Sequence, residues 1–140
     1  MVSEEELLKI LGEWGKVERK EPKDYRVYMD KEKVPDLVKY LIEKVGDIRT
    51  AAVTGMQRNG KFIVYYHLWI HPLDVMVSLV VESENDHFPS ITPIIPGSHF
   101  HENEAFDLLG LKFEGHPYLK KKLILPEESP EDYYPLRKEE

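Results

Sequence analysis

Hydrophobic and polar positions repeat along this chain with two different periods. Over the first fifty residues the period is helical. Ser3 followed by Glu6 forms a capping-box pattern, after which Leu7, Leu8, Leu11 and Trp14 recur on one face. This predicts a short amphipathic helix that stops near Gly12 or Gly15. A second helix is predicted from a start within Asp30 to Pro35, with Leu37, Val38, Leu41, Ile42 and Val45 on its apolar face and Gly46 as its stop. Between the two, Lys16 to Lys23 reads as a charged connector, and Tyr25-Arg26-Val27-Tyr28-Met29 alternates as a strand.

From Ile48 the period drops to two. Ile48 to Met56 and Phe62 to Ile70 read as strands joined through Asn59-Gly60, the strongest hairpin signal in the chain. Asp74 to Val81 reads as the next strand. Pro89, Pro93 and Pro96 then mark a loop, and Pro96-Gly97-Ser98 opens a short third helix over about His99 to Leu109, ended by Gly110. The expected class is α+β: an antiparallel meander of three or four strands with two helices covering one face. The domain is expected over residues 1–110. Residues 111–140, with prolines at 117, 126, 130 and 135, are expected to form an extended arm that needs a surface to lie on.

Composition narrows the function classes. The chain has 140 residues, 41% apolar and 32% charged, which fits a single globular domain. Apolar runs are too short to span a bilayer, and the acidic start Met1-Val2-Ser3-Glu4-Glu5-Glu6 lacks the layout of a signal peptide. A cytoplasmic location is the default expectation. A net charge of −7 argues against nucleic acid as the main partner. There is no cysteine, so thiolate catalysis and clusters held by this chain's own thiolates are excluded. Residues 1–50 hold 23 charged side chains and residues 51–100 only six, which places the core or an interface in the middle of the chain. Few amide side chains among many lysines and glutamates give a thermophile-like composition.

No group of residues amounts to an active site. His99 and His101, with Glu102 and Glu104 nearby, offer imidazole and carboxylate ligands for a divalent metal. On a helix, however, positions 99 and 101 point about 200° apart. His67 and His71 share a strand face but would lie about 13 Å apart, too far for one ion, and read as ordinary sheet and loop residues. His116, between Gly115 and Pro117, sits in a turn without an adjacent nucleophile. Glu102, Glu104 and Asp107 form an acidic cluster. Charge in the first turn suits the helix dipole, but Asp107 near the C-terminal end does not, which calls for a cationic partner within the chain or across an interface. Lys120-Lys121-Lys122 reads as a solvated face.

The segment from Glu102 onward resembles the signature of the thirty-kilodalton (C) subunit family of respiratory complex I and its membrane-bound hydrogenase relatives. Glu102 and Glu104 match that family's paired glutamates, and Phe106-Asp107 its aromatic-aspartate pair. Gly110, Phe113, Gly115-His116-Pro117 and Leu119 follow in step, then Leu125-Pro126 and Pro135-Leu136-Arg137-Lys138. Phe88-Pro89-Ser90-Ile91-Thr92 resembles the family's Pro-Ser-Ile-Thr loop. Asn103 stands in place of an arginine, Tyr118 in place of an aspartate, and Lys120 and Lys121 in place of arginines. Lysine is a poorer bidentate partner, so carboxylate contacts would be rearranged.

The resemblance implies a non-catalytic, structural subunit on the cytoplasmic face of a membrane-bound, ion-translocating oxidoreductase. It would dock on the large catalytic subunit and the small iron–sulfur subunit. The iron–sulfur clusters, and possibly a nickel–iron centre, belong to those partners, and no redox centre to this chain. A chain of this length without a fused catalytic domain resembles the modular archaeal hydrogenase-type complexes more than the longer bacterial complex I subunits. In the arm, Leu119, Leu123, Leu125, Tyr133 and Tyr134 are expected to fill shallow pockets while Arg137 makes a charge-assisted fork. Two other classes compete: a small metal-dependent enzyme using His99, His101 and Glu104, and a stand-alone adaptor domain.

Overall fold

A computed structural model of the chain describes residues 2–117, 119, 125, 128, 129 and 134–137. The elements, in chain order, are α1 (Glu4–Trp14), β1 (Lys16–Glu21), β2 (Asp24–Tyr28), α2 (Val34–Val45), β3 (Ile48–Arg58), β4 (Lys61–Ile70), β5 (Val75–Ser83), β6 (His87–Pro89), α3 (His99–Leu109) and β7 (Lys112–Glu114). Short 3₁₀ turns precede α2 and α3 and link β4 to β5.

The local signals act as expected. Ser3 Oγ accepts the Glu6 N–H and starts α1, Pro35 occupies the first turn of α2, and Gly46 ends it with φ 101°. Asn59 (φ 53°) and Gly60 (φ 75°) both adopt the left-handed conformation that the β3–β4 turn requires.

The α+β class is as the sequence indicates, but the main sheet has five strands, in the order β1-β2-β5-β4-β3. Two differences follow from that order. The charged stretch predicted to be a connector is β1, paired antiparallel with β2. Lys16-Val17-Glu18-Arg19-Lys20-Glu21 carries charge at nearly every position because it is an edge strand with both faces largely wet. The second difference is that β2 runs parallel to β5, with Asp24 opposite Met76 and Tyr28 opposite Val80. The sheet is therefore mixed rather than a pure meander. The remaining pairs, β3/β4 and β4/β5, are antiparallel.

The core lies on one face of this sheet. Phe62, Val64, Tyr66, Leu68 and Ile70 of β4 and Val75, Val77, Leu79 and Val81 of β5 point into it. Leu7 and Leu11 of α1 and Val34, Leu37, Val38 and Leu41 of α2 cover that layer. A second, two-stranded parallel sheet, β6/β7, brackets α3 and places Phe88 opposite Phe113 in the same core. Leu111 and Phe113, just past Gly110, are buried in this core.

Candidate functional site

Glu102, Glu104, Asp107, Gly110 and the described residues of the arm gather on and around α3, and they divide into buried and exposed sets. Glu102 is fully buried. Its Oε1 accepts hydrogen bonds from Ser90 Oγ (2.6 Å) and Thr92 Oγ1 (2.9 Å), and its Oε2 from the Ile91 N–H (2.8 Å). The Thr92 N–H donates to Ser90 Oγ at 3.1 Å. One carboxylate thus organises the whole Pro89-Ser90-Ile91-Thr92 turn. Burial pushes the Glu102 carboxyl above the usual range, while the donors from Ser90, Ile91 and Thr92 hold it down. The neighbouring Tyr66 hydroxyl donates to the Pro89 carbonyl at 2.6 Å. Burial raises the Tyr66 phenol well above its ordinary value, and the Glu102 charge adds to the effect.

Asp107 is also fully buried, and its Oδ2 accepts the Leu125 N–H at 3.3 Å. A carboxylate disfavoured by the helix dipole is here offset by backbone donation from the arm. Glu104, on the same helix, is exposed.

The Gly115-His116-Pro117 turn stands beside the start of α3. His99 Nδ1 and His116 Nε2 lie 3.1 Å apart with ring centroids 5.1 Å apart. Burial lowers the pKa of His116. Among the described residues no three histidine, aspartate or glutamate side chains converge on a point that could hold a metal, and His99, His101 and Glu104 do not come together. His67 and His71 are used locally. The first sits between Ser78 Oγ (2.8 Å) and Thr54 Oγ1 (3.1 Å), and the second lies 2.9 Å from Asp47.

Four residues of the arm, Tyr134 to Arg137, fold back onto the C-terminal end of α3. The Leu136 N–H donates to the Leu108 carbonyl at 2.8 Å. Arg137 Nε donates to the Leu109 carbonyl at 3.1 Å, and its Nη2 lies 3.2 Å from Asp86 Oδ2. The guanidinium also stands 5.2 Å from the Phe62 ring centre and 5.3 Å from that of Tyr134. The expected fork of Arg137 therefore closes on this chain's own Asp86 and on the free carbonyls at the end of α3. Gly110, at φ 79°, permits this approach, because a Cβ there would stand 2.8 Å from Arg137 Nη2.

Of the other residues singled out, Leu119 packs against the core, Leu125 is half-buried, and Pro117, Pro135 and Leu136 are exposed. Pro126 lies outside the described residues, as do Lys120 to Ile124, Tyr133 and Lys138. Sequence reasoning missed Asp86, which no motif marks and which gathers His87, Lys112 and Arg137 around one carboxylate. It also missed Ser90 and Thr92 as partners of Glu102, although both stand in the quoted loop.

Comparison with known proteins gives the family and the fold. The family model for the respiratory-chain NADH dehydrogenase 30 kDa subunit matches residues 27–140. Hydrogenase-4 component G of Escherichia coli is 32% identical over 127 residues, which cover 87% of this chain and 23% of that protein. An NADH-quinone oxidoreductase subunit of Roseiflexus sp. is 32% identical over 126 residues, covering 83% of this chain and 69% of that one. Two solved structures share the fold. A chain of the membrane-bound sulfane sulfur reductase, an archaeal respiratory membrane complex, aligns with a TM-score of 0.78 at 18% identity, covering 96% of this chain and 82% of that one. A trypsin-resistant fragment of Nqo5 aligns at 0.65 and 23% identity, covering 83% of this chain and 98% of the fragment. This chain belongs to the family of the 30 kDa subunit of the respiratory-chain NADH dehydrogenase.

Proposed function

We propose that this chain is a structural subunit of a membrane-bound, ion-translocating oxidoreductase of the complex I or hydrogenase type. It docks on the large catalytic subunit and on the small iron–sulfur subunit, at the cytoplasmic face of the membrane. The observation that carries this reading is the extent of the family match, which runs from β2 through the arm. The absence of cysteine leaves cluster ligation by thiolate to the partners, where iron–sulfur clusters and a nickel–iron centre would sit. No helix among the described residues is long and apolar enough to cross a membrane, so association through partner subunits accords with the reading.

In this role the chain works by position. Glu102 shapes the Ser90–Thr92 turn, and Asp107 takes a backbone N–H of the arm, which holds Leu125 to the body of the domain. The test is gentle detergent extraction of native membranes, affinity capture of this chain and mass identification of what accompanies it. A nickel–iron-hydrogenase-like large subunit together with a cluster-bearing small subunit is the expected result. The chain recovered alone, away from membranes, overturns the reading.

A further inference from the structure

We infer that Lys31 is the positioning residue of the second sheet: its ammonium fills an oxygen cage that winds the Ser83–His87 loop into the path that sets Asp86 against Arg137. Lys31 opens the 3₁₀ turn before α2, and it is half-buried where its neighbours Glu32 and Lys33 are exposed. An ammonium carries three donors and no acceptor. Here all are directed at one loop, 52 to 56 residues further along the chain. Lys31 Nζ donates to Ser83 Oγ at 2.8 Å, to Asn85 Oδ1 at 2.8 Å and to the His87 carbonyl at 2.6 Å. The Phe88 ring closes the cage, with its centre 5.2 Å from Nζ.

The loop's own hydrogen bonds turn its oxygens towards that ammonium. Asn85 Oδ1 also accepts Ser83 Oγ–H and the His87 N–H, each at 3.0 Å, and the Asn85 N–H donates to Ser83 Oγ at 3.2 Å. Without a donor between them, acceptors gathered this closely would be left unsatisfied and the loop would open. Asp86 stands between the caged residues Asn85 and His87 and makes the contacts of the other side. Its carboxylate lies 3.2 Å from Arg137 Nη2 and 3.7 Å from Lys112 Nζ, and its carbonyl accepts the Lys112 N–H at 2.8 Å. Lys31 thus fixes, from the far side of the loop, the start of the β6/β7 pairing at His87 and Lys112 and the seat of the Tyr134–Arg137 turn. This coupling belongs to the chain by itself, whichever surface it docks on.

The test is hydrogen exchange on the full-length chain, read at the Lys112, Leu136 and Arg137 amides relative to those of β4. K31A is expected to speed exchange at these three amides by about tenfold beyond any change in β4. Propylammonium replaces the atoms that K31A removes beyond Cβ, and is expected to restore their protection. Tetramethylammonium, a cation without N–H donors, is expected to restore nothing. At Leu136 and Arg137 the double variant K31A/D86A should go no further than D86A, because Lys31 acts through Asp86. K31M keeps the bulk of the side chain without its ammonium. It should match K31A, should not respond to propylammonium, and carries the test if K31A does not fold. Protection in K31A or K31M that falls only in step with β4 overturns the positioning role. Rescue of K31A by tetramethylammonium, or none by propylammonium, overturns the oxygen cage as its cause. Additive losses in the double variant overturn the route through Asp86.

Discussion

Replacing Glu102 by alanine is expected to destabilise the isolated chain by about 3 kcal/mol, read as a lower urea midpoint with an unchanged slope. The size of the effect comes from what is left behind. Ser90 Oγ–H and Thr92 Oγ1–H can rotate towards other acceptors, but the Ile91 N–H is fixed by the backbone and would be buried without a partner. Glu102→Gln keeps the oxygen that can receive Ile91 and should cost much less. The same pair gives a pH test. Because burial holds the Glu102 carboxyl above its usual value of 4.5, the folded protein binds that proton more tightly than the unfolded chain does. Its protonated form therefore favours folding, and that contribution fades as pH rises from the usual value through the raised one. Across that window wild type should lose stability relative to E102Q, and parallel pH profiles would show that the carboxyl titrates normally. An unchanged midpoint for E102A would remove Glu102 as the organiser of the turn.

Gly110→Val is expected to cost about 2 kcal/mol in the isolated chain and to release the C-terminal turn from the body. Two effects coincide at this position. A β-branched residue is strained at φ 79°, and its Cβ would collide with Arg137 Nη2 and crowd Tyr134 Cγ, 3.2 Å away. The second effect separates this variant from a merely strained one. Hydrogen exchange at Leu136 and Arg137, whose amides are bound to Leu108 and Tyr134, should accelerate in G110V well beyond the global loss of stability. If those two amides keep their protection relative to the core, the turn does not depend on the space at Gly110.

What the sequence could and could not reveal follows from the range of each interaction. Ser3, Gly46, Asn59-Gly60 and Gly110 act within a few residues of themselves, so each element end they mark is where the pattern placed it. The core face of β4 was legible because alternation shows directly in Phe62, Val64, Tyr66, Leu68 and Ile70. Strand β1 was not, since charge at nearly every position hides the period of an edge strand. The Asp86–Arg137 contact spans 51 residues and belongs to no periodic pattern. The signature glutamates were found as a group, yet one is fully buried and the other exposed. Sequence identifies such residues together and only packing separates their roles.

The parallel seam between β2 and β5 also dictates an order of events at the ribosome. Tyr25 must wait for Val77 before it has its sheet neighbour, and at about 5–20 residues per second that delay is about 3–10 s. During it, β1 and β2 can form only a hairpin with a strongly charged outer strand, too small to be stable alone. The β3–β4–β5 portion needs only local turns, so loop-closure entropy favours its assembly first and the docking of β2 afterwards. Pulse-labelled refolding should accordingly protect amides of Ile63 to Leu68 before those of Arg26 and Val27. The charges along β1 would then serve the nascent chain, keeping its earliest strand from pairing with a neighbour while the strand it needs is still unmade.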